Sequence, residues 1–212
     1  MNVPDPGYAS WMLAILPQME QHSLYNALNT GHPGWSSANE TVVRSAVEAY
    51  ICPNDLWSHE RYHSFAAAGD VEMAFSSYVG NLGSNFIVDY LDWGSGIEPD
   101  GVLYRQSSVR TADIVDGTSH TLLVGERVHA DPLLRPVWGF GYTGKVVGDT
   151  SVGIVQGTDS KVHWGYSSFH PAGSVFALAD GSVRLMSRET GAEFLSFLAT
   201  RAGQETSPDQ SF

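Results

Sequence analysis

Cysteine, basic residues and long apolar runs are what this chain has least of. One cysteine, Cys52, occurs in 212 residues, so no disulfide forms within the chain. A single thiol reads either as a small buried hydrophobe or as the mark of a reducing compartment, and the sequence leaves both open. Lys and Arg number 11 against 23 Asp and Glu, a formal net charge of −12, and nowhere do the basic residues run together. A phosphate backbone finds no counter-charge here, which removes nucleic acid from the expected partners. No stretch of about 18 apolar residues occurs and no signal-peptide pattern opens the chain, so the molecule reads as water-soluble. Its first residues, Met1-Asn2-Val3-Pro4-Asp5-Pro6-Gly7, are turn-forming and are expected to mark a cut inside a longer protein.

The catalytic signatures are missing as well. There is no G-x-S-x-G elbow, P-loop, G-x-G-x-x-G fingerprint, H-E-x-x-H or paired C-x-x-C. Cys52 stands before Pro53 without a flanking catalytic pattern. The expectation is therefore that the protein is not an enzyme.

What is present suits a loop-rich exported domain: only 16% of residues are charged, while glycine and aromatic residues are plentiful. The length fits one domain. The carboxylate surplus reads first as solubility. A calcium site is the alternative, and Asp113, Asp116 and Glu126 are near enough in sequence to contribute to one, although their spacing matches no EF-hand.

Local patterns place the elements. Ser10 suits the cap of a helix carrying Met12, Ile15, Leu16 and Met19, which Pro17 interrupts. The box Ser37-Ala38-Asn39-Glu40 predicts a second helix ending near Tyr50. Short β-prone runs follow, including Ser77-Tyr78-Val79, Gly101-Val102-Leu103-Tyr104 and Thr121 to Glu126. Residues from about 66 to 100 read as a loop-rich insertion over the sheet.

The run from Ser174 to Ser187 predicts a hairpin with Asp180-Gly181 as a two-residue type I′ turn, both at positive φ. That register pairs Leu178 with Val183 and Phe176 with Leu185 on one face. Asp116-Gly117 reads as a second such turn. A capping box, Thr190-Gly191-Ala192-Glu193, predicts a C-terminal helix carrying Phe194, Leu195, Phe197 and Leu198. Residues 204–212 read as a frayed tail.

Several of these blocks together resemble a known family. His170-Pro171-Ala172-Gly173 stands ahead of Asp180-Gly181 with nine residues between His170 and Asp180. This resembles the H-x9-D-G signature of prepilin-type proteins abundant in planctomycetes, which have no established activity and sometimes carry a solute-binding label. Trp11 to Asn26, Tyr50-Ile51-Cys52-Pro53-Asn54-Asp55, Ser77 to Asn81 and Asp116 to Glu126 resemble further blocks of that family in the same order. The chain departs from the pattern at Asn54 and His120, where the family often has Ser and Asn.

The resemblance implies an α+β, pilin-like single domain over 1–212, with N-terminal helices, an antiparallel sheet containing the 174–187 hairpin, and a C-terminal helix. It implies an exported subunit of the envelope or the extracellular space. Self-association, and any contact with a membrane, would run through an apolar helix that this chain lacks. A second cysteine at the end of that helix would be the partner of Cys52. The alternative is a surface module for a calcium-dependent or carbohydrate ligand.

For that alternative the candidate binding residues are His170, Asp180, Trp57 and Trp93, the tryptophans as a stacking platform for glycan or neighbouring subunits. His170 reads first as a residue that holds a loop, with metal ligation and catalysis as alternatives. Cys52, Asp116, Gly117, Asp180 and Gly181 are expected to be structural.

Overall fold

In the computed structural model, which describes residues 10–64, 71–84, 99–104, 107–139, 147–159 and 164–204, Ser10 Oγ accepts the Met12 N–H at 3.0 Å and caps α1 (Trp11–Ala14). The helix stops ahead of Pro17, whose ring and missing N–H do not extend it. After a turn in which Glu20 takes φ 59°, α2 (His22–Ala27) begins. The expected N-terminal helices are thus segments of four and six residues.

The helix expected from Ser37 to Tyr50 is also broken. Ser36, not Ser37, supplies the capping oxygen, and a 3-10 turn (Ser37–Asn39) runs into α3 (Glu40–Val43) before a second 3-10 turn (Glu48–Tyr50). The buried Asn39 amide donates to the carbonyls of Asn29, His32 and Pro33, so its side chain holds the preceding loop rather than a helical turn.

Nine strands are described: β1 (Arg61–Ser64), β2 (Val71–Ala74), β3 (Tyr78–Gly83), β4 (Leu122–Glu126), β5 (Val147–Asp149), β6 (Ile154–Gln156), β7 (Tyr166–Ser168), β8 (Gly173–Leu178) and β9 (Val183–Ser187). Five form one sheet in the order β5-β3-β4-β8-β9; β1-β2 and β6-β7 are two-stranded. The architecture is mixed α and β, with few helices and several strands.

Three sequence expectations need correction here. The large sheet is not purely antiparallel, because β3 and β5 run parallel. The span 66–100 is not simply an insertion, because Val71–Ala74 and Tyr78–Gly83 are strands and β3 lies inside the main sheet; residues 65–70 and 85–98 lie outside the described residues. Gly101 to Tyr104 is not a strand either: the Val102 and Leu103 N–H groups both donate to the Asn81 carbonyl, at 3.1 and 2.9 Å.

The hairpin exists, but its register differs by one residue from the expected one. Val175 pairs with Leu185, Phe176 with Arg184 and Ala177 with Val183. The Gly181 N–H closes a turn onto the Leu178 carbonyl at 3.0 Å, and the Leu178 N–H reaches the Ser182 carbonyl at 2.8 Å, which leaves a three-residue loop, Ala179 to Gly181. Gly181 has φ 85° while Asp180 does not take positive φ, as in a hairpin with a glycine bulge rather than a type I′ turn. Asp180 instead accepts the Ser182 N–H at 2.8 Å and its hydroxyl at 2.7 Å.

A one-residue slip moves a strand's side chains to the opposite face. Met186 is accordingly buried beside Phe176 and Leu178, while Val183 and Leu185 stand 66% and 56% exposed.

The C-terminal helix α4 (Ala192–Ala199) starts at Gly191 without a side-chain cap, so the expected Thr190–Glu193 box does not form. Its Phe194, Leu195 and Leu198 pack against Val79, Leu122, Phe176, Leu178 and Met186. A second cluster gathers Met12, Leu13, Leu16, Tyr50, Leu82, Trp138 and Val147. Val79 and Leu82, an odd number of positions apart on β3, go to different clusters, so this central strand is covered on both faces. Gln204, the first residue of the expected tail, is tied down through its N–H to Asp116 Oδ1 at 2.8 Å; residues 205–212 lie outside the described residues.

Candidate functional site

Three chain segments meet at the C-terminal end of β4. Glu126, its last residue, is 1% exposed. The turn before β8 brings His170, and the loop after the 3-10 turn at Tyr50 brings Cys52.

Each segment is held by specific bonds. The Cys52 N–H donates to Ser77 Oγ at 2.9 Å, and that hydroxyl donates to Asp55 Oδ2 at 2.8 Å. Asp55 in turn faces the fully buried Arg135 guanidinium at 3.2 Å. Glu126 Oε2 accepts the Val175 N–H at 2.7 Å, which fixes the carboxylate on the edge of β8. The His170 N–H donates to Ser168 Oγ at 3.0 Å, and Arg188 donates to the carbonyls of Ser168 and His170 at 3.2 and 2.8 Å.

The three side chains then touch. Cys52 Sγ lies 3.3 Å from His170 Nε2, and the same nitrogen lies 3.3 Å from Glu126 Oε1. The other ring nitrogen, Nδ1, is 2.9 Å from the Asn54 side-chain amide. Thiol and carboxylate are buried, while the imidazole is 31% exposed and forms the solvent side of the cluster.

Burial, and then a hydrogen bond to Glu126, pushes the Cys52 thiol up to about 12. Tyr78 beside it is also pushed up to about 12, by burial first and by the charges of Cys52 and Glu126 after it. A thiol next to an imidazole whose far nitrogen meets an Asn has the outline of a cysteine hydrolase. Here, however, the sulfur is held protonated at neutral pH, the reverse of an activated nucleophile. What the arrangement offers is three donor atoms of different kinds, all within 4.8 Å of one another.

The expected calcium set does not come together. Asp113 is engaged by Arg110, at 2.9 and 3.1 Å, and that contact holds its carboxyl down at about 2. Asp116 accepts from the Thr200 hydroxyl and the Gly203 and Gln204 N–H groups, at 2.7 to 2.8 Å. Glu126 faces Cys52 and His170 instead, in the one such group among the described residues. Asp113 and Asp116 therefore brace the chain rather than share a ligand with Glu126.

Other sequence candidates fall out as follows. Asp180 is exposed and sits past the far end of β8 from His170, so the nine-residue spacer between them is largely the length of that strand. Trp57 is half-buried, its ring tilted against Phe169 with centroids 5.1 Å apart. Trp93 lies outside the described residues. Gly117, at φ 96°, holds a positive-φ position as expected, whereas Asp116 does not. Asn54, Asp55, Ser77 and Arg135 also belong to this site, and no local pattern in the sequence marks them as such. The available signal was that Tyr50 to Asp55, Ser77 to Asn81, Asp116 to Glu126 and the His170 block recur together in the resemblance.

A family model described as a protein of unknown function (DUF1559), under the label SBP_bac_10, matches residues 2–193, and the chain belongs to that family. No curated protein and no solved structure matches it.

Proposed function

We propose that this member of the DUF1559 family is a pilin-like structural subunit, exported to the envelope or beyond, whose head domain presents loops to neighbouring subunits and performs no chemistry of its own. The observation that carries this reading is what the blocks of the resemblance do with their polar side chains. Ser77 ties Cys52 to Asp55, Asp116 ties the 115–117 turn to the segment after α4, and Asp180 closes its own hairpin loop. The two turn segments also touch, the Asp180 N–H donating to the Thr118 carbonyl at 3.0 Å. Such residues hold loops to one another, as a rigid head requires.

A surface groove of about 410 Å³ is lined by Glu40, Thr41, Arg44, Ser45 and Arg61. Under this reading the complete protein carries an apolar assembly helix ahead of the head. No helix among the described residues is long and apolar enough to cross a membrane.

The test is electron microscopy and envelope fractionation of the full-length gene product. Filaments or envelope-bound assemblies that disappear when the preceding segment is deleted support the proposal. Dispersed monomers in the soluble fraction would overturn it.

The alternative, a module for a calcium-dependent or carbohydrate ligand, draws on Trp57 beside the His170 loop. A glycan array read with and without Ca²⁺ separates the two.

A further inference from the structure

We propose that Cys52, Glu126 and His170 are three ligands of a site for a borderline divalent transition cation of the zinc type. The inference stands independently of the subunit reading.

At zinc's usual bond lengths and tetrahedral angles, a sulfur and a nitrogen ligand stand about 3.6 Å apart and a nitrogen and an oxygen about 3.3 Å apart. In the cluster Sγ to Nε2 and Nε2 to Oε1 are both 3.3 Å, and all three ligand atoms lie within 4.8 Å of one another. Little rearrangement separates the observed side chains from the edges of a coordination tetrahedron.

The surroundings also orient the ligands. Ligating imidazoles nearly always give their other nitrogen to an oxygen acceptor. His170 Nδ1 meets the Asn54 amide at 2.9 Å, and turned about its last bond that amide presents its oxygen to an Nδ1–H, leaving Nε2 with a lone pair aimed at Cys52 and Glu126. Glu126 uses Oε2 on the Val175 N–H and keeps Oε1 for the cluster.

A thiolate and a carboxylate buried together carry two negative charges, and a dication cancels them in a place where neither is well solvated. The cation takes the place of the thiol proton, so binding releases that proton and forms one metal–sulfur bond with no change of oxidation state. The donor set also selects the cation. Sulfur and imidazole favour zinc-type ions, whereas calcium takes six to eight oxygens. The imidazole, 31% exposed, marks the solvent side of the cluster, where water would take the fourth position.

Co²⁺ and Zn²⁺ added to the metal-free, reduced protein test the site. The expected result is one equivalent of Co²⁺ with a sulfur-to-cobalt charge-transfer band, displaced by one equivalent of Zn²⁺. Cys52→Ser should abolish the band and weaken Zn²⁺ by more than about 100-fold, beyond what loss of an outer partner costs. Asn54→Ala should keep the band and weaken binding by about 10- to 100-fold. His170→Asn changes a half-exposed loop side chain and serves if the cysteine variant does not fold; it too should lose tight binding, while His120→Asn should not. The absence of a band, or affinities unchanged in Cys52→Ser and His170→Asn, would overturn the site. So would Cys52 found disulfide-bonded in protein isolated from its native envelope, since a disulfide sulfur is no thiolate ligand.

Discussion

Arg135 and Asp55, 80 residues apart in the chain, form an ion pair in which neither side chain is exposed to solvent. Burial pulls the Arg135 guanidinium below its usual range, and the nearby Asp55 carboxylate pulls the other way. The cation also lies 3.9 Å above the Phe75 ring. Removing Asp55 takes away the buried partner and leaves Arg135 facing the half-exposed Glu60 carboxylate at 3.4 Å; breaking a buried pair in this way costs about 3–5 kcal/mol. Asp55→Ala is therefore expected to lower stability by that amount in urea titrations. Adding Arg135→Met should recover part of the loss, because the cation that has lost its buried partner goes with it. A single mutant within about 0.5 kcal/mol of the parent, the range of ordinary surface changes, would contradict the pairing.

The hairpin register is open to a direct comparison. With Met186 buried and Leu185 56% exposed, Leu185→Ser should change stability by no more than about 0.5 kcal/mol, whereas Met186→Ser should cost about 2 kcal/mol or more. The two-residue register expected from Asp180-Gly181 predicts the opposite order. Thermal unfolding of the two variants side by side decides between them.

Asn81 is a polar keystone in an apolar place. Fully buried, its amide donates to the Leu122 carbonyl at 2.9 Å and the Ala199 carbonyl at 2.7 Å, and its oxygen accepts the Gly83 N–H at 3.1 Å. It thereby links β3, β4 and the end of α4. Asn81→Leu leaves those groups without partners, at about 1–3 kcal/mol for each buried polar group orphaned. The expected outcome is a loss of at least about 2 kcal/mol, with amide exchange accelerating first around Ala199.

Alkaline stability turns on Tyr166. Its ring is buried against Phe176 at 4.9 Å, and its hydroxyl donates to Asn81 Oδ1 and the Gly148 carbonyl, each at 3.3 Å. Burial first, and the Asp149 charge second, push its phenol well above the ordinary tyrosine range, with Arg127 opposing. A folded-state value raised above the unfolded one favours the protonated form in the fold. The contribution is complete below the unfolded value of about 10 and is lost as pH rises past it. The last phenolate absorbance should thus appear together with loss of far-ultraviolet circular dichroism. Ionisation of all nine tyrosines near pH 10 in a protein that stays folded would contradict this.

Much of the local structure was legible in residues a few positions apart. The Ser10 cap, the stop before Pro17, the strand ending at Glu126 and the positive φ of Gly117 and Gly181 follow from short-range sterics and hydrogen bonding. The two capping boxes did not form, because Asn39 is drawn to three loop carbonyls and α4 starts on Gly191. Of the candidate site, His170, Cys52 and Glu126 were each named, but for separate purposes. Nothing in their spacing joins a thiol to an imidazole 118 positions away.

The sequence by itself determined the composition-level facts: an acidic chain, one thiol, no basic run, a hairpin around Asp180-Gly181 and an apolar C-terminal helix. Tertiary structure alone decided the register of that hairpin and the company of that thiol. The Ala179 and Asp180 N–H groups are claimed by the Thr121 and Thr118 carbonyls, and Met186 by the core beneath α4, so contacts far away in the chain override the two-residue turn that Asp-Gly favours locally. Cys52, Glu126 and His170 meet because a turn, a strand end and a loop are packed against one another, and such convergence is a property of the packed chain.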